Sequence, residues 1–143
     1  MKYFYVIVNQ EKPYALETAN HVRHYLETHG AGCAMKQERE TAAAGKYTDV
    51  ADVPSGAECV ITIGGDGTLI QAARDLAALE IPFVGINRGH LGYLTQVSRE
   101  EDVEDMLAAL LADRFHTEER MMLEGRVVRK GCVLLEDIAL NEI

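Results

Sequence analysis

Between an apolar run, Cys59 to Ile63, and a stretch with helical spacing lies the string Gly64-Gly65-Asp66-Gly67-Thr68. Glycines in such a place let the backbone approach a ligand closely and take up positive φ. Successive N–H groups at the turn, with a helix N-terminus behind them, form a receptor for phosphate oxygens. An aspartate inside that receptor opposes the phosphate charge, so it answers to another demand. It can accept a proton from an attacking hydroxyl, or orient a cation carried on the phosphates. The plainer alternative is a tight strand-to-helix turn with Asp66 capping the helix, and Gly-Gly or Asp-Gly alone would signal no more than that. The whole string at a strand-to-helix junction favours chemistry. It is neither of two common nucleotide motifs, since Gly-x-x-x-x-Gly-Lys-Ser/Thr and Gly-x-Gly-x-x-Gly are both missing.

A second constellation, Gly85-Ile86-Asn87-Arg88-Gly89-His90-Leu91-Gly92-Tyr93-Leu94-Thr95, follows another apolar run. Its glycines shape a loop, and Tyr93 is available to stack on a flat aromatic ligand; core packing of Tyr93 is the structural alternative. A third, Asn141-Glu142, closes an apolar segment and by itself could be a strand end or turn.

The elements that must position these residues alternate. Tyr3 to Val8 is a continuous apolar run ending at Asn9, the pattern of a strand covered on both faces. Pro13 opens a helix to about Thr28 with Ala15, Ala19, Val22 and Leu26 as its apolar stripe, and Gly30 and Gly32 end it. A short strand is expected near Cys33 to Lys36, whereas Gln37 to Gly56 is polar and unassigned, with the look of a mobile loop. After Cys59 to Ile63 comes a helix with Leu69, Ala73, Leu76 and Ala77 on one face, then a strand from Phe83 to Ile86. Ser98-Arg99-Glu100-Glu101 has the form of a capping box, introducing a helix with Val103, Met106, Leu107, Leu110 and Leu111 inward. Strands alternating with helices imply parallel pairing and right-handed crossovers. The fold class is therefore α/β, an open, mostly parallel Rossmann-like sheet with helices on both faces and its ligand site at the carboxyl edge. After His116 the texture changes. Met121 to Arg129 and Cys132 to Leu135 read as a hairpin joined at Lys130-Gly131, followed by Ile138 to Ile143. The expected division is 1–116, an α/β domain, and 117–143, the initial strands of an incomplete β-rich domain.

Composition narrows the function classes. The chain has 143 residues, 14 basic and 23 acidic side chains and a formal charge of −9. This balance disfavours broad electrostatic binding of nucleic acid. No apolar run approaches the ~20 residues of a membrane span, and the first residues read as a strand without a signal-peptide cleavage site. Cys33, Cys59 and Cys132 are few and widely spaced, as buried thiols in a reducing cytosol would be, so the expected compartment is the cytoplasm. His21 and His24 sit three apart on a helix, but no third ligand is evident, so no protein metal site is assigned. The acidic run Glu100 to Asp105 suits a helix start and a solvated face.

Together the three motifs resemble the NAD kinase family in order and approximate spacing, over the whole of this chain. The glycine–aspartate turn is shared with lipid kinases and phosphofructokinases, whereas the Tyr93 loop and the Ala139-Leu140-Asn141-Glu142 segment point to NAD. The resemblance implies an α/β domain followed by a β-rich domain that completes the nucleotide site. It further implies transfer of the γ-phosphoryl group of ATP to the adenosine 2′-hydroxyl of NAD, with Mg²⁺ or another divalent cation. By that resemblance Asp66 acts on the 2′-hydroxyl as base or through metal, and Gly67 belongs to the same contact. Gly64, Gly65, Gly67 and Thr68 face phosphate, Tyr93 and Leu94 line the adenosine pocket, and Asn141 and Glu142 contact adenine and ribose. His90 stands where relatives commonly carry Asn. Homo-oligomers, dimers or tetramers, are implied as well. The rivals are a lipid or sugar kinase sharing only the glycine–aspartate turn, and a non-catalytic nucleotide-binding module. The 143-residue chain alone is expected to be inactive, since most of the domain that would enclose the substrate is not part of it.

Overall fold

The computed structural model describes residues 1–36, 48–89 and 92–140. Four parallel strands form one sheet: β1 (Tyr3–Val8), β2 (Gly32–Met35), β3 (Cys59–Ile63) and β4 (Phe83–Ile86), in the order β2-β1-β3-β4. Helix α1 (Ala15–Thr28) crosses from β1 to β2, and α2 (Asp66–Asp75) crosses from β3 to β4. The two crossovers run outward in opposite directions from the β1/β3 pair. Right-handed connections then place their helices on opposite faces. Side-chain alternation along the strands agrees. Phe4, Val6, Ile61 and Ile63 pack with Val22 and Leu26 of α1, whereas Tyr5, Ile7 and Val60 pack with Ala72 of α2 and with Leu76 just past its end. Helix α3 (Glu101–Leu111) joins the α1 face through Val103, Leu107 and Leu110.

Most expected elements lie within a residue or two of their observed ends. Helix α1 ends as glycine dictates, with Gly30 at φ +80° and the Ala31 N–H donating back to the Leu26 carbonyl at 2.9 Å. Gly32 belongs instead to β2, where a Cβ would strike the Tyr3 ring. Two expectations need correction. The Ser98–Glu101 capping box does not form: Glu100 is the N-cap residue and makes no side-chain cap, while Arg99 pairs with Glu101 and Asp102. On α2, Ala72 rather than Ala73 lies on the buried face, and Ala77 is half-buried because the helix ends at Asp75 and the chain continues into a 3-10 turn, Ala77–Leu79. Within the unassigned stretch, residues 37–47 lie outside the described residues. Val50–Asp52 forms a 3-10 turn capped by Asp49, and Thr48 donates its N–H to the buried Asp75 carboxylate.

Beyond α3, β5 (Leu123–Arg129) and β6 (Cys132–Ala139) make an antiparallel ribbon. Lys130 and Gly131 have φ of +51° and +77°, the two positive values that a tight hairpin turn matching strand twist requires. Val127 pairs with Leu135 and Val128 with Val133, so Leu134 is an extra residue bulged from β6. Strand β6 also runs on to Ala139, past the Leu135 at which the sequence pattern breaks. Among the described residues, no helix is long and apolar enough to cross a membrane.

Neighbouring residues on β3 give a direct test of this packing. Ile61 is fully buried among apolar side chains, and Ile61→Ala should cost about 2–5 kcal/mol. Thr62 is equally buried, but its hydroxyl has no hydrogen-bond partner among the described residues. Removing that unpaired group by Thr62→Val should leave stability unchanged or raise it by about 1 kcal/mol. Urea unfolding of both variants checks the pair.

Candidate active site at the sheet edge

Because the strands are parallel, Asn9, Gly64 and Asn87 all emerge at one edge of the sheet, where β1 and β3 part into opposite crossovers. That is the edge at which open α/β sheets bind ligands. Asn9 closes the first turn, its side-chain carbonyl accepting the Glu11 N–H at 3.1 Å and its own N–H donating to the Ile63 carbonyl at 2.8 Å. Gly64 adopts φ +155° between that residue and α2, and a Cβ there would meet the Thr68 hydroxyl and lie 3.0 Å from the Asn9 Cβ. This glycine is required by the protein's own packing.

Gly65 and Gly67 differ. Gly65 is the N-cap residue of α2, Gly67 lies in its first turn, and a Cβ on either would meet nothing within 4 Å. The open space above both is bounded by the N-terminus of a ten-residue helix, where unpaired N–H groups attract anions.

Asp66, the first residue of α2, does not cap its own helix. Its carboxylate reaches across to the next loop. Oδ2 accepts the Tyr93 N–H at 2.8 Å, and Oδ1 accepts those of Leu94 and Thr95 at 3.1 and 3.2 Å. A carboxylate offers about four acceptor positions, so roughly one is left for an incoming donor. The approach is close because residue 92 is glycine: a Cβ there would lie 2.5 Å from Asp66 Oδ1 and against the Thr95 hydroxyl. Gly92 was part of the sequence motif without a role; its signal was a glycine directly before Tyr93.

The same loop is anchored at its start. Asn87 is buried, donates its N–H to the Val97 carbonyl at 2.8 Å and accepts the Tyr14 hydroxyl at 3.2 Å. Burial raises the Tyr14 phenol above its ordinary pKa, against a smaller lowering by Arg88. Arg88 lies over the Tyr14 ring, donates to the Thr18 hydroxyl at 3.3 Å and pairs with Glu100 at 2.8 Å. Between these anchors, Tyr93 projects with its side chain 99% exposed, which excludes the core-packing alternative, while Leu94 is half-buried. Asp66, Gly65, Gly67, Thr68, Tyr93 and Leu94 therefore share one edge. Asn141 and Glu142 lie outside the described residues, as do His90 and Leu91.

Other candidates fall away. His21 Nε2 bonds Glu104 at 2.8 Å and ties α1 to α3, and no cluster of metal ligands exists among the described residues. The cysteines are unpaired; burial pushes the Cys33 thiol up to about 11 and the Cys59 thiol up to about 12, which disfavours the nucleophilic thiolate. Cys132 is exposed on the ribbon.

The sequence profile of the ATP-NAD kinase N-terminal domain matches residues 4–115. The chain belongs to this family. It is 43% identical over 145 residues to the NAD kinase of Lachnospira eligens, covering 100% of this chain and 49% of that protein. It is 37% identical over 143 residues to the NAD kinase of Agathobacter rectalis, covering 99% of this chain and 50% of that protein. The fold matches the crystal structure of yeast NADH kinase complexed with NADH, with a TM-score of 0.71 at 15% identity over 99% of this chain and 47% of that one. The chain spans about half the length of the curated relatives it matches.

In this member of the ATP-NAD kinase family the Asp66–loop contact is testable without substrate. Gly92→Ala should push the carboxylate off the loop. Each hydrogen bond to a charged group is worth about 1.5–3 kcal/mol, so amide exchange at Tyr93, Leu94 and Thr95 should speed up roughly tenfold or more. Hydrogen-exchange NMR reads this directly, and unchanged protection at the three amides would show that the glycine is not needed.

Proposed function

We propose that this chain supplies the α/β half of an ATP-dependent NAD kinase, which transfers the γ-phosphoryl group of ATP to the 2′-hydroxyl of the NAD adenosine ribose and so makes NADP. The observation that carries this reading is the pairing of two opposite features at one sheet edge. A helix N-terminus with two glycines whose missing side chains leave open space suits phosphate, and a carboxylate fixed beside it suits a hydroxyl. Phosphoryl transfer depends on positioning and charge stabilisation more than on covalent chemistry from the protein.

In the proposed arrangement Gly64, Gly65, Gly67 and Thr68 form the phosphate turn, with Gly64 setting its shape and Gly65 and Gly67 keeping its approach clear. Asp66 accepts a hydrogen bond from the ribose 2′-hydroxyl at the acceptor position its loop contacts leave open, aligns that oxygen, and takes its proton as the phosphoryl group transfers. Tyr93 presents a free ring face for the adenine, beside Leu94. Asn141 and Glu142, at the end of the β5–β6 segment, are assigned to the adenine and ribose. The divalent cation fits as one carried on ATP: Mg²⁺ is commonly held by one or two carboxylates plus substrate phosphates, and Asp66 is the carboxylate at this turn. It would neutralise phosphate charge. The division near residue 116, a homo-oligomeric state and a cytoplasmic location belong to the same reading, supported by the change from parallel sheet to ribbon and by the family relationship.

The test is a substrate screen and two substitutions in the complete polypeptide encoded with this chain. With ATP, NAD should be phosphorylated while diacylglycerol and fructose 6-phosphate are not; the reverse pattern would favour the lipid- or sugar-kinase reading. Asp66→Asn should lower turnover at least about 10²-fold with NAD still bound, the scale of general-base assistance. Near-normal turnover would remove the assigned role. Gly67→Ala should behave oppositely in two assays. It fills open space in the first turn of a helix, so it should raise stability by up to about 1 kcal/mol, yet it should weaken nucleotide binding. Unaltered binding would mean that the gap above Gly67 is not a ligand site.

A further inference from the structure

We propose that Gln96 is a positioning residue for phosphoryl transfer, holding the peptide that faces Asp66 in the orientation its carboxylate needs. The proposal rests on the kinase reading above and deepens it, adding to that site a residue that acts through the loop.

Strand β4 is an edge of the sheet, and the chain that leaves it at Asn87 returns along the same edge. The Gly85 carbonyl accepts the N–H groups of Gln96 and Val97 at 3.0 and 3.2 Å, and the Asn87 N–H donates to the Val97 carbonyl at 2.8 Å. Ile86 and Val97 form a parallel bridge. The Thr95 side chain lies over the same glycine, where a Cβ on Gly85 would come 2.8 Å from its Cγ2. The loop is registered on Gly85.

Gln96 uses both ends of its amide. Its Oε1 accepts the Gly85 N–H at 2.8 Å, and its Nε2 donates to the Leu94 carbonyl at 2.7 Å. An N–H can only donate and a carbonyl can only accept, so the two partners fix which way the amide points. The Leu94 carbonyl and the Thr95 N–H belong to one planar peptide unit, and that N–H donates to Asp66 Oδ1 at 3.2 Å. One peptide is therefore gripped from both sides, by glutamine at its oxygen and by the carboxylate at its nitrogen. Bonds in such a chain polarise and strengthen one another.

Oδ1 is the side of Asp66 that needs this support. Its two donors stand at 3.1 and 3.2 Å, against 2.8 Å for Tyr93 on Oδ2. The Thr95 hydroxyl gives the peptide no polar anchor, having no hydrogen-bond partner among the described residues. Without Gln96 the peptide is free to tip, and the carboxylate turns with it. In the proposed site that rotates the acceptor meant for the ribose 2′-hydroxyl. The fault falls on the chemical step and leaves the phosphate turn untouched.

Steady-state kinetics and amide exchange of the complete polypeptide test this with two substitutions. Gln96→Met keeps the length and loses both bonds, whereas Gln96→Glu keeps an acceptor for Gly85 and, ionised, has no donor for Leu94. Both should lower kcat about tenfold, the scale of a small misplacement of a reacting group. KM for ATP and for NAD should change by less than about twofold, and Tm by less than about 5 °C. Exchange at the Thr95 amide should speed up roughly tenfold in each. In an Asp66→Asn background, Gln96→Met should change the residual turnover by less than about twofold, because it acts through that carboxylate. A further tenfold loss there overturns the proposal, and so does unchanged exchange at Thr95. Normal kcat in Gln96→Glu beside an impaired Gln96→Met also overturns it, leaving only the strand edge as the reason for the residue. Parent polypeptide that makes no NADP overturns the kinase reading, while the exchange result still reports on the Gln96 contact by itself.

Discussion

Three consecutive N–H groups from one loop converge on a single carboxylate, and the sheet edge is organised around that contact. Asp66 starts the helix after β3, and Tyr93 to Thr95 belong to the loop after β4. Their bond therefore stitches two successive crossover connections together where the parallel strands end. It fixes the Tyr93 backbone while the ring stays in solvent. Charge-assisted bonds of this kind are about twice as strong as neutral ones, so a residue that looks purely chemical in the sequence is also a keystone of local structure. A single acid thus holds the loop with three bonds and, in the proposed reading, keeps about one acceptor position for the substrate hydroxyl.

The glycines at this edge divide into two physical kinds. At Gly64, Gly85 and Gly92 an added Cβ would run into Thr68, Thr95 or Asp66, so close packing within the protein explains them. At Gly65 and Gly67 an added Cβ would meet nothing within 4 Å, so internal packing does not explain them, and the proposed reading gives that space to phosphate. The distinction is invisible in a motif string, where all glycines read alike. It appears only once neighbours from β1, α2 and the β4 loop are placed around them.

Much of the architecture was legible from local pattern. The unbroken apolar runs of β1, β3 and β4 announce strands covered on both faces, and their observed ends coincide with the pattern. The α1 stripe of Ala15, Ala19, Val22 and Leu26 is the buried face. What local pattern could not supply depends on partners distant in sequence. Ser98 has the spacing of a cap, yet Arg99 draws the acidic side chains of the helix start to itself. The Leu134 bulge depends on register with β5, and the Arg74–Asp137 bond joins residues 63 apart. The Asp66–loop contact was half legible, since the acid and the glycines stood out but not the amides that receive the acid. Asn141 and Glu142 stood out in the sequence and lie outside the described residues.

The ribbon carries a consequence for how the isolated chain behaves in solution. Valines and leucines exposed on a two-stranded element offer both sticky side chains and unpaired strand edges to a neighbouring molecule. The net charge of −9 keeps such molecules apart by mutual repulsion. Added salt shortens the range of that repulsion, and acidification toward the isoelectric point near 5.0 removes it. Colloidal stability of the chain is thus a contest between an adhesive hairpin and an anionic coat, decided by the buffer.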